Sequence, residues 1–503
     1  IYNSFDEKTQ KNCDPALRNY LFFKKNQTDE NFLVKIEHSK VDKKYFQKII
    51  NNNISTDEYA LITVENPTTK TFSKDNNILQ CFKYFSEQLK GVDISIRLEL
   101  FNRLLDQDNK ILVIIDLSEK EDEQAIFDTI NSAGVRLSSA DIIKNALFQK
   151  AIELFNNTED VTVIYEEKWQ SVFSTDEDAI NFWDTPRVTG RLMRDNIEIL
   201  LHSVSVIKGF FDPEKNTLSD LSKLYKSYIS NFSKDDLTKF IKEISDYAVI
   251  FREKILVFNR DKLFNYQDSY ERIFHILGVC EISTFHPYIL SLFFKYDKNE
   301  AELIMELHKL ERLVVRRMIT NSETKSYNKM CKEFIKDNSL IDARLAEQTD
   351  DKIKNGLTSI ENKNATLLLF WVELFRRSND NKQSVKELKY NYSLEHLMPI
   401  KWTEYWSDVE VLDINGNVIQ DPEIAKKERN SKIRHIGNMT LLNSSLNTSL
   451  RNYNFDRKVK GEGRKKGIKD YSELGITKDD IVIPYDSGDT VWNEKKITDR
   501  TEA

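Results

Sequence analysis

Two short runs late in the chain carry residue types suited to one chemistry. The first is Ser393-Leu394-Glu395-His396-Leu397-Met398-Pro399. The second is Ile436-Gly437-Asn438-Met439-Thr440-Leu441-Leu442, which continues to Asn447. Hydrolysis of a phosphodiester needs a base to activate water and a divalent cation to take up charge on the scissile phosphate. Neutral imidazole suits the first role, because its reference pKa lies near neutrality. Carboxylate and amide oxygens suit a hard cation such as Mg²⁺. Glu395 and His396 are adjacent, so a strand points them to opposite faces, and a bend at the strand end brings both near one phosphate. Pro399 ends that strand, since it cannot donate to a ladder. Asn443 and Asn447 are four apart and share a helix face.

The order Glu-His-x-x-Pro, then Gly-Asn-x-x-Leu-Leu-x4-Asn, resembles the HNH, or His-Me finger, nuclease motif. The resemblance implies a β-hairpin and a helix (ββα) around one Mg²⁺ or Mn²⁺ ion. By position it implies His396 as general base, Asn438 as the residue that orients it, and Glu395 and Asn447 as metal ligands. Two features depart from the family: Glu395 stands where Asp is usual, and the hairpin carries a long insertion. After Asn447 come Arg451, Arg457, Lys458, Lys460, Arg464, Lys465, Lys466 and Lys469, interleaved with Tyr453 and Phe455. Basic residues beside such a helix would neutralise DNA phosphates. The competing reading is a solvated loop around Gly461 and Gly463.

The elements that must position these residues follow from length and patterning. A chain of 503 residues exceeds one core, so two or three domains are expected. Only 13 Gly and 8 Pro favour helix over a turn-rich β fold. The expected class is mainly α, with an α/β N-terminal part, a long helical middle and a ββα C-terminal domain. Residues 1–155 read as mixed α/β. Asn31 to Ile36 alternates like a strand, and Lys110 to Leu117 is a β-branched run suited to a buried strand. A helix is expected from Glu121, capped by Asn131-Ser132-Ala133-Gly134. Ser138 then caps another, with Asp141 at the capping-box position and Leu147 and Phe148 on its apolar face.

Residues 156–375 read as almost wholly helical. Leu237, Phe240, Ile241, Ile244, Tyr247, Ala248 and Phe251 fall at three- and four-residue steps. Ile304, Leu307, Leu310, Val314 and Met318 do the same, with Arg316-Arg317 on the polar side. His202, His275, His286 and His308 lack ligand-like spacing and read as packing or surface residues. Residues 376–503 hold the paired motifs. Within the insertion, Asn415-Gly416 between apolar-polar runs signals a hairpin, and Pro422 opens a short helix.

The segment Phe127-Asp128-Thr129-Ile130-Asn131-Ser132-Ala133-Gly134-Val135-Arg136-Leu137-Ser138-Ser139-Ala140-Asp141-Ile142-Ile143-Lys144-Asn145 resembles a stretch of the GmrSD family of modification-dependent restriction proteins. Taken alone, it also fits an ordinary helix–turn–helix joint whose Arg136 and Lys144 are solvated. The family joins a ParB/sulfiredoxin-like nucleotide-handling domain, here residues 1–155, to a His-Me finger nuclease. Both motifs occur in family order. The family's Asp-Gly-Gln-Gln-Arg motif, linked to NTP use, is absent. The stretch 7–24 resembles what should follow it, so the chain is expected to begin inside a longer protein, and NTP use is expected only with the preceding segment.

Net charge is −7, which disfavours a uniformly basic nucleic-acid binder and leaves DNA contact to local patches. Four scattered cysteines without a Cys-x-x-Cys pair disfavour a zinc site and fit a reducing cytoplasm. No apolar run is long enough to span a bilayer. The expected function is a cytoplasmic, metal-dependent DNA endonuclease of a bacterial anti-phage restriction system. Its expected partners are modified phage DNA, a second copy of the chain, or its own preceding segment. The competing functions are a DNA-sensing module with an inactive nuclease fold, and an RNase toxin.

Overall fold

The computed structural model describes residues 1–24, 33–36, 38, 40–65, 75–106, 138–155, 157–189, 192–255, 261–471 and 473–503. The described chain is mainly helical, as expected from its scarce Gly and Pro. It divides into two compact units, Ile1–Ile126 and Phe127–Ala503. Among the described residues, no helix is long and apolar enough to cross a membrane.

The first unit contains helices Glu7–Leu21, Lys40–Ile50, Thr56–Leu61, Asn77–Leu89 and Ile94–Leu105. Asp6 starts the first by accepting a hydrogen bond from the Thr9 amide. Phe5, Cys13 and Phe101 form its small buried cluster. Of the alternating run Asn31 to Ile36, Leu33–Val34 is a strand and pairs with Phe22–Phe23. Asn31 and Phe32 lie outside the described residues, as do the expected strand at Lys110 to Leu117, the helix from Glu121 and the cap at Asn131 to Gly134.

The second unit begins with α1 (Ser139–Leu154). Ser138 caps it as expected: Oγ accepts from the Asp141 amide and donates to Oδ2 of the same residue. Ile143, Leu147 and Ala151, spaced by four, turn inward. A hairpin follows, β1 (Pro186–Thr189) against β2 (Leu192–Asp195), in the register Arg187↔Arg194 and Thr189↔Leu192. It leads into α2 (Asn196–Ile207).

The long helix Lys234–Lys254 buries all seven residues of its expected stripe, from Leu237 to Phe251. α3 (His286–Lys295) and Glu300–Ile319 pack in the same core. In the latter helix Arg317 departs from the expected polar side. It is buried, and its guanidinium donates to the Glu323 carbonyl and Ser326 Oγ. His275 is a packing residue, accepting a hydrogen bond at Nδ1 from Trp371 Nε1 at 3.0 Å.

The C-terminal elements are β3 (Ser393–His396), β4 (Met439–Leu442), α4 (Ser444–Leu450), α5 (Phe455–Lys460), and the short hairpin β5 (Gly461–Glu462) with β6 (Lys465–Lys466). β3 and β4 are antiparallel, with Glu395↔Thr440 and His396↔Met439 opposite each other. All four β4 residues are buried. Met439 and Leu441 belong to the large helical core, whereas Leu442 belongs to a second cluster with Leu397, Met398, Trp406 and Phe455.

The insertion between β3 and β4 keeps its expected parts. Gly416 takes a φ of +86° in the turn joining Leu412 to Val418, a conformation glycine adopts without steric cost. Pro422 opens helix Pro422–Lys432. Arg429 of that helix and Glu494 of the last helix are both buried and 2.7 Å apart, which pins the insertion to the end of the chain.

Candidate functional site

β3 and β4 bring the two sequence motifs together, and α4 follows directly. β4 supplies most of the apolar surface of the pair through Met439, Leu441 and Leu442, β3 adds Leu394, and Asn438 locks the exit of β3. Its side chain is fully buried. Oδ1 accepts from the Met398 amide at 2.8 Å, and Nδ2 donates to the Met398 and Ile433 carbonyls at 2.9 and 3.0 Å. Its carbonyl accepts from the Leu397 amide at 2.9 Å. Asn438 therefore holds the two residues after His396 through backbone bonds. The contact expected of it, with the imidazole, is replaced by this indirect hold.

His396 ends β3, half-buried. Its Nε2 is enclosed without a hydrogen-bond partner among the described residues. Burial, together with the positive charges of Lys458 and Arg434, pushes its pKa down to about 4. The ring is therefore neutral at pH 7, the state a general base needs. Arg434 is exposed, and the sequence motifs do not include it. Its signal was its place just before His435-Ile436-Gly437-Asn438.

α4 starts at Asn443, whose side chain caps it by accepting from the Leu446 amide. Asn443 is thus consumed by the cap and does not share a working face with Asn447. Asn447 lies one turn in and donates from Nδ2 to the Leu394 carbonyl at 2.9 Å, which fastens helix to strand.

Glu395 and Lys458 occupy unexpected places. Glu395 is buried on β3, and Lys458 on α5 is fully buried beside it, with Nζ 2.6 Å from Glu395 Oε1 and 2.7 Å from the His396 carbonyl. Burial pushes the carboxyl up and the ammonium down, and each charge partly offsets the other's shift. Lys458 was expected to contact DNA phosphate; here it faces inward because α5 packs Phe455, Lys458 and Val459 on one side. That i, i+3, i+4 spacing was the overlooked signal.

The donors expected to hold a metal, Glu395 and Asn447, have the right chemical type for Mg²⁺ or Mn²⁺. An ammonium at hydrogen-bond distance already neutralises the Glu395 carboxylate, so this arrangement does not fit a cation on Glu395. Among the described residues, no three His, Cys, Asp or Glu side chains cluster to hold one.

The remaining basic residues divide in two. Arg451, Arg464, Lys465 and Lys466 are exposed. The last three line a cleft with Asn443, Ser445, Ser449 and Tyr471, between α4 and the β5–β6 hairpin. Arg457 is half-buried instead, stacked 3.3 Å from the Tyr453 ring centroid and ion-paired with Glu462.

A family model described as GmrSD restriction endonucleases, C-terminal domain, matches residues 347–503. A second, described as GmrSD restriction endonuclease, N-terminal domain, matches residues 5–148. No curated protein matches the chain.

Proposed function

Because the chain belongs to the GmrSD restriction endonuclease family, whose name implies DNA as substrate, we propose that β3, β4 and α4 form an HNH-type (His-Me finger) site for DNA cleavage. The observation that carries this reading is His396. It is a neutral imidazole at a strand end, with an exposed arginine acting on it and a basic cleft on the next helix.

In the proposed reaction Nε2 stays enclosed and Nδ1 accepts the proton of the attacking water. The new P–O bond forms as one ester P–O bond breaks, and the leaving oxygen is protonated from solvent. Arg434 takes up charge on the phosphate. Asn438 keeps the imidazole in place through the Leu397-Met398 backbone, a positioning role. Glu395 holds Lys458, and no step passes through a metal on that carboxylate. The supporting role of Mg²⁺ or Mn²⁺ is decided by titration against EDTA.

The proposed physiological substrate is modified phage DNA in the cytoplasm, cut as part of restriction. The test measures cleavage of modified DNA, plain DNA and RNA by the wild type and by His396→Ala. Cleavage of DNA that disappears in the folded variant supports the reading. Cleavage of RNA alone, or undiminished DNA cleavage by the variant, overturns it.

A further inference from the structure

The helical part of the second unit contains a cavity that phosphodiester chemistry at His396 does not use. It measures 360 Å³ and opens between the β1–β2 hairpin, α2 and the start of α3. Its polar wall includes Thr189, Arg194, His202 and His286, and its apolar wall includes Ile199 and Phe211.

Thr189 Oγ1, Arg194 Nε and His286 Nδ1 are each buried without a hydrogen-bond partner among the described residues. Buried polar atoms are seldom left unpaired, so three around one cavity point to a missing ligand. The hairpin register adds an independent sign. Arg187 and Arg194 stand directly opposite each other, where like charges oppose strand pairing. Among the described residues, no carboxylate reaches either arginine within ion-pair distance; Glu198 attracts Arg194 only from farther off. Arg187 and Thr189 are two apart on β1 and share a face, while Val188 between them is exposed. Burial and the arginine charges hold His202 and His286 neutral, with pKa values of about 3 and about 4, so each ring keeps one N–H and one lone pair.

We propose that this cavity binds a small molecule through a phosphate group. Arg194 and Arg187 supply the charge, Thr189 Oγ1 and His286 the hydrogen bonds, and the Ile199–Phe211 wall takes the body of the molecule. The guanidinium fork matches phosphate geometry, and the volume lies within the usual ligand-pocket range of roughly 300–1,000 Å³.

The test is calorimetric titration of the full chain with inorganic phosphate, ribose 5-phosphate, adenosine 5′-monophosphate and unphosphorylated ribose. At least one phosphorylated probe is expected to bind with unit stoichiometry, and ribose is not. Tighter binding of an ester than of inorganic phosphate supports the proposal, and equal affinity for phosphate and its esters overturns the role given to the Ile199–Phe211 wall. Arg194→Gln is expected to weaken binding roughly tenfold or more. Arg187→Gln, at a half-buried hairpin position less critical to folding, is expected to weaken it in the same direction. The exposed Lys325→Gln should change nothing. No heat from any phosphorylated probe at millimolar concentration overturns the proposal. So does binding that survives both arginine variants, or Arg194-dependent binding of duplex DNA alone.

Discussion

Lys458 Nζ bridges Glu395 Oε1 and the His396 carbonyl oxygen, at 2.6 and 2.7 Å, so one ammonium ties the acidic side chain of the motif to the backbone of its histidine. Removing one partner of a buried pair leaves an uncompensated charge, at a cost of about 3–5 kcal/mol. Lys458→Ala is therefore expected to lower unfolding stability by that order. Lys458→Met with Glu395→Gln should recover most of it. Urea unfolding curves check both, and a single variant with unchanged stability would show the pair to be dispensable.

Arg434 is expected to matter for rate and not for folding, because it is exposed and its charge reaches His396. Arg434→Ala should lower kcat roughly 10²–10³-fold, the scale of losing one charge-stabilising group, with KM and melting temperature nearly constant. Loss of Tm with kcat intact would assign it to structure instead.

The exposed basic residues predict a salt dependence. Replacing Arg451, Arg464, Lys465 and Lys466 with Ala should weaken DNA binding about equally across sequences. The slope of log K against log salt should become shallower by roughly 0.9 for each duplex phosphate the variant no longer neutralises. Adding Lys458→Ala should leave that slope where it is, since its ammonium is enclosed. An unchanged slope in the fourfold variant makes the stretch a solvated loop.

Gly437 has no room for a side chain. A Cβ there would lie 2.1 Å from the Ile497 carbonyl oxygen and 2.7 Å from the Thr501 amide nitrogen, both backbone atoms of the last helix. Gly437→Ala should cost about 1–3 kcal/mol and reduce cleavage through displacement of Asn438. Thermal melts and cleavage rates read the two effects, and a variant as stable as wild type contradicts the packing.

Acid should destabilise the fold as soon as the pH drops below the ordinary histidine range. His275, buried against Trp371 and Phe264, has its pKa pushed down to about 3 by burial, against roughly 6.5 unfolded. Below that unfolded value the unfolded chain takes up a proton that the folded chain refuses. The stability is complete above about pH 6.5 and falls as pH drops toward about 3. Melting temperatures from about pH 8 to about pH 5 should show the decline, and His275→Gln should make it shallower while leaving the share that His202, His286 and His396 add in the same direction.

Much of the site was legible because its parts are local in sequence. Glu395-His396, Gly437-Asn438 and Asn447 lie within short runs, and strand pairing only had to bring two runs together. The helical stripes were legible for the same reason: periodicity alone buries Leu237 to Phe251. What escaped depends on pairings across long separations. Lys458 meets Glu395 63 positions away, and a basic run gives no hint which member turns inward unless the Phe455–Val459 face is weighed. Asn438 has the right neighbours in sequence, but its bonding partners are backbone groups, which carry no residue-type signal. The cavity beside Arg194 left no motif, since its polar atoms come from a hairpin and two helices.

β4 has one face in the helical core and the other in the C-terminal cluster, so it is a shared wall. Its amides should be among the slowest in the chain to exchange with deuterium, opening only with the whole second unit. A fragment cut at residue 376 would bare Met439 and Leu441 and should bind hydrophobic dyes or precipitate. β4 is thus not a portable module: the helix Asn362–Asn379 packs against both β3 and β4, so grafting the strand elsewhere would require carrying that helix along.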